Sequence, residues 1–122
     1  TLYKAGWQQN KKDIAPIMIF SPTTTDERMR YLGSFVKGFI YCAARKGVTG
    51  KDTNFSDELL AYLKRCRKAS SLPIAVGFGI KQKADVDFLK GKADIAVVGT
   101  QSIRVMEESG IDAVGGFIRG LR

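Results

Sequence analysis

Four short apolar runs divide the chain, at residues 14–20, 38–43, 73–78 and 94–98. None of them alternates apolar with polar positions. A half-exposed strand shows such alternation, whereas a strand covered on both faces does not. The pattern therefore predicts an α/β fold in which four buried strands form a parallel sheet covered by helices.

The segment after the first run carries the start signal of a helix. Residues 24–27 (Thr-Thr-Asp-Glu) match the capping box, in which side chains satisfy free backbone N–H groups. We expect Thr24 to be the N-cap and Gly38 to end the helix. The apolar face of this helix is predicted to be Met29, Leu32 and either Phe35 or Val36.

Helical patterns also follow the other three runs. Ser56 is a suitable N-cap for the second helix, whose predicted buried stripe is Leu59, Leu60, Leu63 and Cys66. Shorter helices are predicted over residues 84–90, 102–108 and 111–121. The resulting order is βαβαβαβα, and strand–helix–strand units of this length form right-handed parallel crossovers.

Composition supports a single folded domain. The chain has 122 residues, of which 44% are hydrophobic, so it can build one packed core. No apolar run approaches the roughly 20 residues of a membrane span, and no N-terminal stretch resembles a signal peptide. These features favour a cytoplasmic protein without a membrane partner. Cys42 and Cys66 lie in apolar patterns and are predicted to be buried free thiols.

The residue inventory limits the chemistry. The sequence has no histidine, which excludes a His-based triad and a His general base, and we expect no metal site. The formal net charge is +8, but the basic residues are scattered and are not interleaved with aromatic residues. Nucleic-acid binders usually carry a concentrated basic stripe, so nucleic acid is not an expected partner. A scattered basic surface favours small anionic molecules instead.

Glycine-rich turns end two of the predicted strands. Gly77 and Gly79 close the third strand, and Gly99 with Thr100 closes the fourth and leads into a helix. Glycine lets a backbone approach a ligand closely, and free N–H groups at such turns bind anions. In β/α barrels the loops after the last two strands commonly form a phosphate site. Either turn alone is more often an ordinary turn, but the two in succession predict a phosphate-ester site.

Other candidate residues have two interpretations each. Gly47 and Gly50 after the second strand form either a ligand-binding loop or a surface loop. Tyr41 is either a core residue or a site residue, and Thr49 is either a loop residue or a site residue. Three carboxylates near the later strands are predicted to cap helices or lie on the surface, namely Asp85, Asp87 and Asp94.

Five segments occur in the order and spacing of one known family. They are residues 14–17 (Ile-Ala-Pro-Ile), 38–41 (Gly-Phe-Ile-Tyr), 45–50 (Arg-Lys-Gly-Val-Thr-Gly), 72–80 (Leu-Pro-Ile-Ala-Val-Gly-Phe-Gly-Ile) and 93–100 (Ala-Asp-Ile-Ala-Val-Val-Gly-Thr). From about residue 14 to its end, the sequence resembles the tryptophan synthase α subunit. The Gly-Val-Thr-Gly loop is the more specific element, since other phosphate-binding barrels share the Gly-Phe-Gly-Ile turn.

The resemblance implies the eight-stranded parallel (β/α) barrel of TIM type. Residues 1–122 would form a single unit, the C-terminal half of that barrel, with a mobile lid at about residues 45–55. The family is a lyase of tryptophan biosynthesis that cleaves indole-3-glycerol phosphate to indole and glyceraldehyde 3-phosphate. Indole then passes to a β subunit with PLP as its cofactor, and no cofactor is expected in this chain.

The family's binding residues carry over to matching positions. The expected phosphate contacts are Gly50, Gly79, Gly99 and Thr100. The expected indole pocket is formed by Gly77, Phe78 and Val97. The family usually has Ser where this chain has Thr100, which keeps the hydroxyl. Tyr41 would lie near the reacting part of the substrate, and Thr49 would bond a catalytic carboxylate once the lid closes.

Two departures from the family pattern change these expectations. The family's catalytic Glu and Asp lie on early strands of the barrel that have no counterpart here, so no catalytic residue is expected in this chain. Half a barrel exposes strand edges, so we expect a fragment that pairs with the missing N-terminal half or with a second copy. The segment after Ile80 also lacks the Ser-Pro often found in the family and has Lys-Gln-Lys at residues 81–83.

Two alternatives to such a lyase remain. The first is half of another phosphosugar-binding barrel, an isomerase or an epimerase, because the Gly-Phe-Gly and Gly-Thr turns fit it equally well. Its small-molecule partner would again be a phosphate ester. The lack of a metal-ligand set argues against the metal-dependent epimerases. The second alternative is a self-associating half barrel without catalytic activity.

Overall fold

Residues 14–44 and 57–122 are described by the computed structural model of the chain. The strands are β1 (Ile19–Phe20), β2 (Ile40–Ala43), β3 (Ile74–Gly77) and β4 (Ile95–Ala96). The helices are α1 (Asp26–Gly33), α2 (Asp57–Ala69), α3 (Lys83–Leu89), α4 (Thr100–Ser109) and α5 (Asp112–Gly120). Strands and helices alternate as predicted, and each strand is shorter than the apolar run that contains it.

The strands form one parallel sheet in the order β1-β2-β3-β4. Tyr41 in β2 lies beside Ile19 in β1 and Ala75 in β3, and Ala75 in turn lies beside Ile95 in β4. Because all strands run in the same direction, their carboxyl ends meet at one edge of the sheet. The described turns that follow β1, β3 and β4 come together there with the end of β2.

The core is built from the sheet and from one face each of α1, α2 and α3. Its most deeply buried apolar side chains include Phe20, Met29, Ile40, Cys42, Leu63, Cys66, Ile74 and Val76. Full burial of an apolar side chain of this size contributes roughly 1.5–3 kcal/mol. This cluster fixes the strands whose ends carry the candidate site.

Cys42 and Cys66 are both buried and free, as predicted. A hydrogen bond with Cys66 and burial raise the pKa of the Cys42 thiol above its ordinary range. The Cys42 thiol therefore stays protonated near neutral pH and serves as a core side chain rather than as a nucleophile.

Apolar side chains are exposed on both outer strands of the sheet. Ile19 of β1 is 64% exposed and Ile95 of β4 is 42% exposed. Helices α4 and α5 pack against each other but contain no buried residue. Their exposed apolar side chains include Ile103, Met106 and Ile118. Exposed apolar side chains of this kind are available for contact with further protein.

Helix α1 begins and ends at residues other than those predicted. Its N-cap is Thr25, whose side chain accepts a hydrogen bond from the helix backbone, and not Thr24. Thr24 instead accepts a hydrogen bond from the N–H of Ser21 in the preceding turn. The helix stops at Gly33 rather than at Gly38, which has a φ of +93° shortly before β2.

The apolar positions around α1 follow the prediction in part. Met29 is buried within the helix, and Leu32 is half-buried. Beyond the helix, Val36 is buried and Phe35 is 51% exposed, so Val36 is the core residue of the two. Although α1 ends earlier than predicted, Val36 in the segment that follows it still reaches the core.

The later helices also differ slightly from the predicted ranges. Helix α4 begins at Thr100, two residues before its predicted start, because Gly99 is its N-cap. Helix α3 begins one residue earlier than predicted, with Gln82 as its N-cap. The predicted cap Ser56 lies outside the described residues. Among the residues that the structure does describe, no helix is long and apolar enough to span a bilayer.

Candidate functional site

A cleft of about 760 Å³ opens at the edge of the sheet where the strands end. Every strand contributes to it through its last residues or the described residues that follow it. The lining segments include residues 21–23 after β1, 43–44 at the end of β2, 77–81 from the end of β3 onward and 99–101 after β4. The topology of the sheet thus brings four distant parts of the sequence to one place.

The last residue of β3 and the turn after it contain two glycines with different roles. Gly79 has a φ of +80°, a conformation that residues with a β-carbon rarely adopt. Gly77 leaves room for the side chain of Tyr41, whose hydroxyl would collide with a β-carbon built at that position. Both glycines therefore determine the shape of the cleft because neither has a β-carbon.

The turn after β4 leads directly into helix α4. Gly99 is its N-cap and Thr100 its first residue, and both line the cleft. The first N–H groups of a helix have no acceptor within that helix, and its dipole favours negative charge at this end. This part of the cleft is suited to an anion, and Thr100 adds a hydroxyl donor.

A buried carboxylate holds the turn after β3. Asp85 is fully buried, and its Oδ2 accepts hydrogen bonds from the N–H groups of Lys81 and Gln82 at 2.9 and 3.2 Å. These bonds close a capping box at the start of α3, which confirms the capping interpretation of Asp85. Asp85 positions the backbone next to Gly79 and does not itself line the cleft.

Asp87 and Asp94 are surface groups, as predicted. Asp87 forms exposed ion pairs with Lys83 at 2.8 Å and Lys90 at 2.6 Å. Asp94 forms an ion pair with Arg67 at 2.6 Å. Hydrogen bonds from these cations lower the pKa of both carboxyls below its ordinary value. Neither carboxylate lines the cleft.

Tyr62 ties helix α2 to the ends of two strands beside the cleft. Its buried hydroxyl lies 2.8 Å from the carbonyl oxygen of Phe20 and 2.9 Å from that of Ala43. Burial raises the pKa of Tyr62 well above its ordinary value, so the hydroxyl remains a donor. Because Ser21 and Ala43 line the cleft, this contact fixes how β1 and β2 enter it.

The charged side chains that line the cleft are cationic, and they belong to Lys81 and Arg104. No carboxylate lines it within residues 14–44 and 57–122. Over the same residues, no group of three His, Cys, Asp or Glu side chains could hold a metal ion. The cleft therefore favours an anionic ligand and receives no carboxylate acid or base from the described part of the chain.

Seven of the nine predicted site residues line this one cleft. They are Tyr41, Gly77, Phe78, Gly79, Val97, Gly99 and Thr100. The other two, Thr49 and Gly50, lie outside the described residues together with the predicted lid at residues 45–55. Phe78 is 3% exposed, so it belongs to the core as well as to the cleft.

The cleft also contains residues that the sequence did not single out. Residues 21–23 follow β1, and their position after a parallel strand is a signal that could have placed them at the same edge. Arg104 lies four residues after Thr100, which puts the two on one face of α4. That spacing is the signal that could have found Arg104.

The sequence matches the family model described as tryptophan synthase alpha chain over residues 5–115. The tryptophan synthase alpha chain of Desulforapulum autotrophicum is 59% identical over 118 residues, which cover 97% of this chain and 46% of that protein. The one from Syntrophotalea carbinolica is 58% identical over 113 residues, which cover 93% and 45%. The chain thus spans about half the length of the curated relatives it matches.

Solved structures share the fold. A mutant tryptophan synthase alpha-subunit from Pyrococcus furiosus matches with a TM-score of 0.80 at 20% identity, over 99% of this chain and 51% of that chain. A chain of the tryptophan synthase complex from the same organism gives 0.79 at 20% identity, over 97% and 48%. These likenesses show a partial barrel of TIM type. Since the family model matches most of the length of this chain, the chain belongs to the tryptophan synthase alpha chain family.

Proposed function

We propose that this chain supplies the phosphate-binding half of a lyase that cleaves indole-3-glycerol phosphate to indole and glyceraldehyde 3-phosphate. The observation that carries the proposal is the cleft, which brings together seven residues that the family pattern assigns to one substrate. The cleft is lined by apolar side chains and by the cations Lys81 and Arg104, which suits a ligand with an aromatic ring and a phosphate group.

The phosphate end of the substrate would lie between the turns after β3 and β4. Gly79 provides backbone that a ligand can approach closely, and Gly99 with Thr100 provides the N-terminus of α4. Backbone N–H groups and the hydroxyl of Thr100 would donate to the phosphate oxygens. In this proposal Gly50 adds a further backbone contact from the lid.

The indole ring would pack on the apolar wall of the cleft. That wall consists of Gly77, Phe78 and the half-buried Val97. Tyr41, which also lines the cleft, would lie between the two ends of the substrate, near the bond that breaks. Fixing both ends of a substrate orients the breaking bond toward the catalytic groups, which is a large part of catalysis.

The cleavage also needs a general acid and a general base. No described carboxylate lines the cleft, so we propose that the catalytic Glu and Asp come from the other half of the barrel. The exposed Ile19 and Ile95 at the two edges of the sheet offer contact surfaces for that half. Thr49 on the lid would bond one of these carboxylates in the closed state.

A β subunit is the proposed protein partner of the assembled barrel. One of the matching structures is a chain of the tryptophan synthase complex of Pyrococcus furiosus. In this proposal the β subunit holds the PLP cofactor and takes up the indole. The family match does not favour the alternatives, half of another phosphosugar barrel or a self-associating half barrel.

Complementation tests the proposal. The chain is mixed with the N-terminal half of its Desulforapulum autotrophicum relative, and indole release from indole-3-glycerol phosphate is followed. We expect indole only when both halves are present. T100V removes a donor while keeping the side-chain size and should lower kcat/KM by about tenfold, whereas S109A at the other end of α4 should leave it unchanged. An assembled complex of the two halves that releases no indole would refute the proposal.

A further inference from the structure

Two cationic side chains line the cleft near the turns proposed to bind phosphate. Lys81 comes from the segment after β3, and Arg104 comes from helix α4. The family pattern carried over above assigns neither residue to the substrate, because it relies on backbone groups and on one hydroxyl. The two cations therefore call for a separate explanation.

Helix geometry directs Arg104 toward the N-terminus of α4. Arg104 follows Thr100 by four residues, about one turn of helix, so the two share a face. Side chains on an α-helix lean toward its N-terminus, so a residue covers the turn that precedes it. The turn covered by Arg104 is the one that begins at Gly99 and Thr100.

The position of Lys81 is fixed by its backbone. Its N–H donates to Oδ2 of the fully buried Asp85 at 2.9 Å. The backbone of Lys81, two residues after Gly79, is therefore held in a fixed position. Its exposed side chain borders the cleft. Lys81 thus follows the turn after β3, and Arg104 lies one helical turn after the N-terminus of α4, next to the two groups of backbone N–H donors proposed to bind the phosphate.

Neither cation is used in an ion pair within the described part of the chain. Other cations there are paired with carboxylates, such as Arg65 with Asp26 at 2.6 Å. Lys81 and Arg104 have no such carboxylate among residues 14–44 and 57–122. Two cations that line one cleft without a carboxylate partner among the described residues leave it positively charged, which attracts an anion.

We infer that Lys81 and Arg104 form a cation pair that binds the phosphate dianion of the substrate. The inference rests on the proposed function and extends it, because the phosphate would then be held by side-chain charge as well as by backbone N–H groups. Guanidinium and ammonium groups form charge-assisted hydrogen bonds to phosphate that are stronger than neutral ones. Affinity for the phosphate should then fall with rising ionic strength.

Titration with glycerol 3-phosphate tests the pair, using the full chain alone and together with the complementary N-terminal half. K81Q and R104Q should each weaken binding about tenfold. R104K should recover most of the affinity lost in R104Q, because it keeps the charge. K64Q and R30Q remove the same charges at positions outside the cleft and should bind as the wild type does.

The dependence on ionic strength is the second measurement. The affinity of the wild type should fall as salt is added, and that of K81Q or R104Q should fall less steeply. Circular dichroism confirms that each variant is folded. If the wild type binds and both variants match their controls, the cation pair is wrong but the proposed function stands. If the wild type binds no glycerol 3-phosphate even with the complementary half, both are wrong.

Discussion

The hydroxyl of Tyr41 lies over Gly77 on the neighbouring strand, in the space that a β-carbon would fill. Tyr41 is half-buried and lines the cleft, so this contact sets where its ring stands relative to a ligand. The glycine at the end of β3 is therefore required by a side chain on β2 and not only by the turn that follows.

Gly77→Ala is predicted to push the Tyr41 ring out of position. We expect a loss of about 1–3 kcal/mol in the free energy of unfolding, because the added methyl group overpacks the contact. Indole release by the complemented barrel should fall as well. Chemical denaturation and the indole assay measure the two effects.

A matched pair of variants separates this contact from a general effect of Ala. The double variant G77A/Y41F should recover part of the stability, because the hydroxyl is the atom nearest to the added methyl group. Gly116→Ala in α5 meets no close neighbour and should stabilise the chain by about 0.5–1 kcal/mol. If G77A and G116A behaved alike, the contact with Tyr41 would have no energetic weight.

Tyr62→Phe is predicted to weaken the attachment of helix α2 to the ends of β1 and β2 beside the cleft. The substitution removes the donor that the carbonyl oxygens of Phe20 and Ala43 share. We expect a loss of about 1–2 kcal/mol in the free energy of unfolding, measured by urea denaturation. Tyr31→Phe is the control, since the Tyr31 side chain is 54% exposed. Equal effects of the two substitutions would contradict a structural role for Tyr62.

Stability should also decline at high pH because of Tyr62. Burial raises the pKa of Tyr62 in the folded state above its value in the unfolded chain, which is about 10. A raised folded pKa means that the folded state holds the proton more tightly. The protonated Tyr62 hydroxyl therefore makes its full contribution to the free energy of unfolding below a pH of about 10, and this contribution is lost as the pH rises further. Thermal melts across this range should show a steeper decline for the wild type than for Y62F.

Asp85→Ala is predicted to disturb the turn after β3. It would leave the N–H groups of Lys81 and Gln82 without their carboxylate acceptor, at a cost of about 1–3 kcal/mol in the free energy of unfolding. Asp85→Asn keeps the size and one acceptor oxygen and should cost less. Asp87→Ala removes an exposed carboxylate and should have little effect. Thermal melts of the three variants would reject the prediction if D85A and D87A melted together.

The sheet could be predicted from the sequence because its signal is local. Ile74, Ala75 and Val76 are buried side by side in β3, and a run without polar positions already indicates two covered faces. The glycine turns could be predicted for a similar reason. The positive φ of Gly79 requires a glycine at that position, independently of residues that are distant in the sequence.

The helix ends and several site residues depend on distant or competing contacts. Thr24 and Thr25 are equally good N-caps by residue type. The side chain of Thr24 accepts a hydrogen bond from the N–H of Ser21, and Thr25 is the N-cap. Tyr62 belongs to the stripe of α2 only because two strand ends supply acceptors. Arg104 shares a face of α4 with Thr100, which its spacing in the sequence indicates, but it meets Lys81 in one cleft only because parallel strands bring α4 next to the turn after β3. Such positions follow from the assembled fold.

The most direct measurement is an NMR titration of the isotope-labelled chain, assembled with the complementary N-terminal half, with glycerol 3-phosphate. Saturable shifts of the backbone amides of Gly79, Gly99 and Thr100 are predicted, with the Gly110 amide at the far end of α4 unchanged. Binding that left these three amides unmoved, or no binding at all, would contradict the assignment of the cleft as a phosphate site.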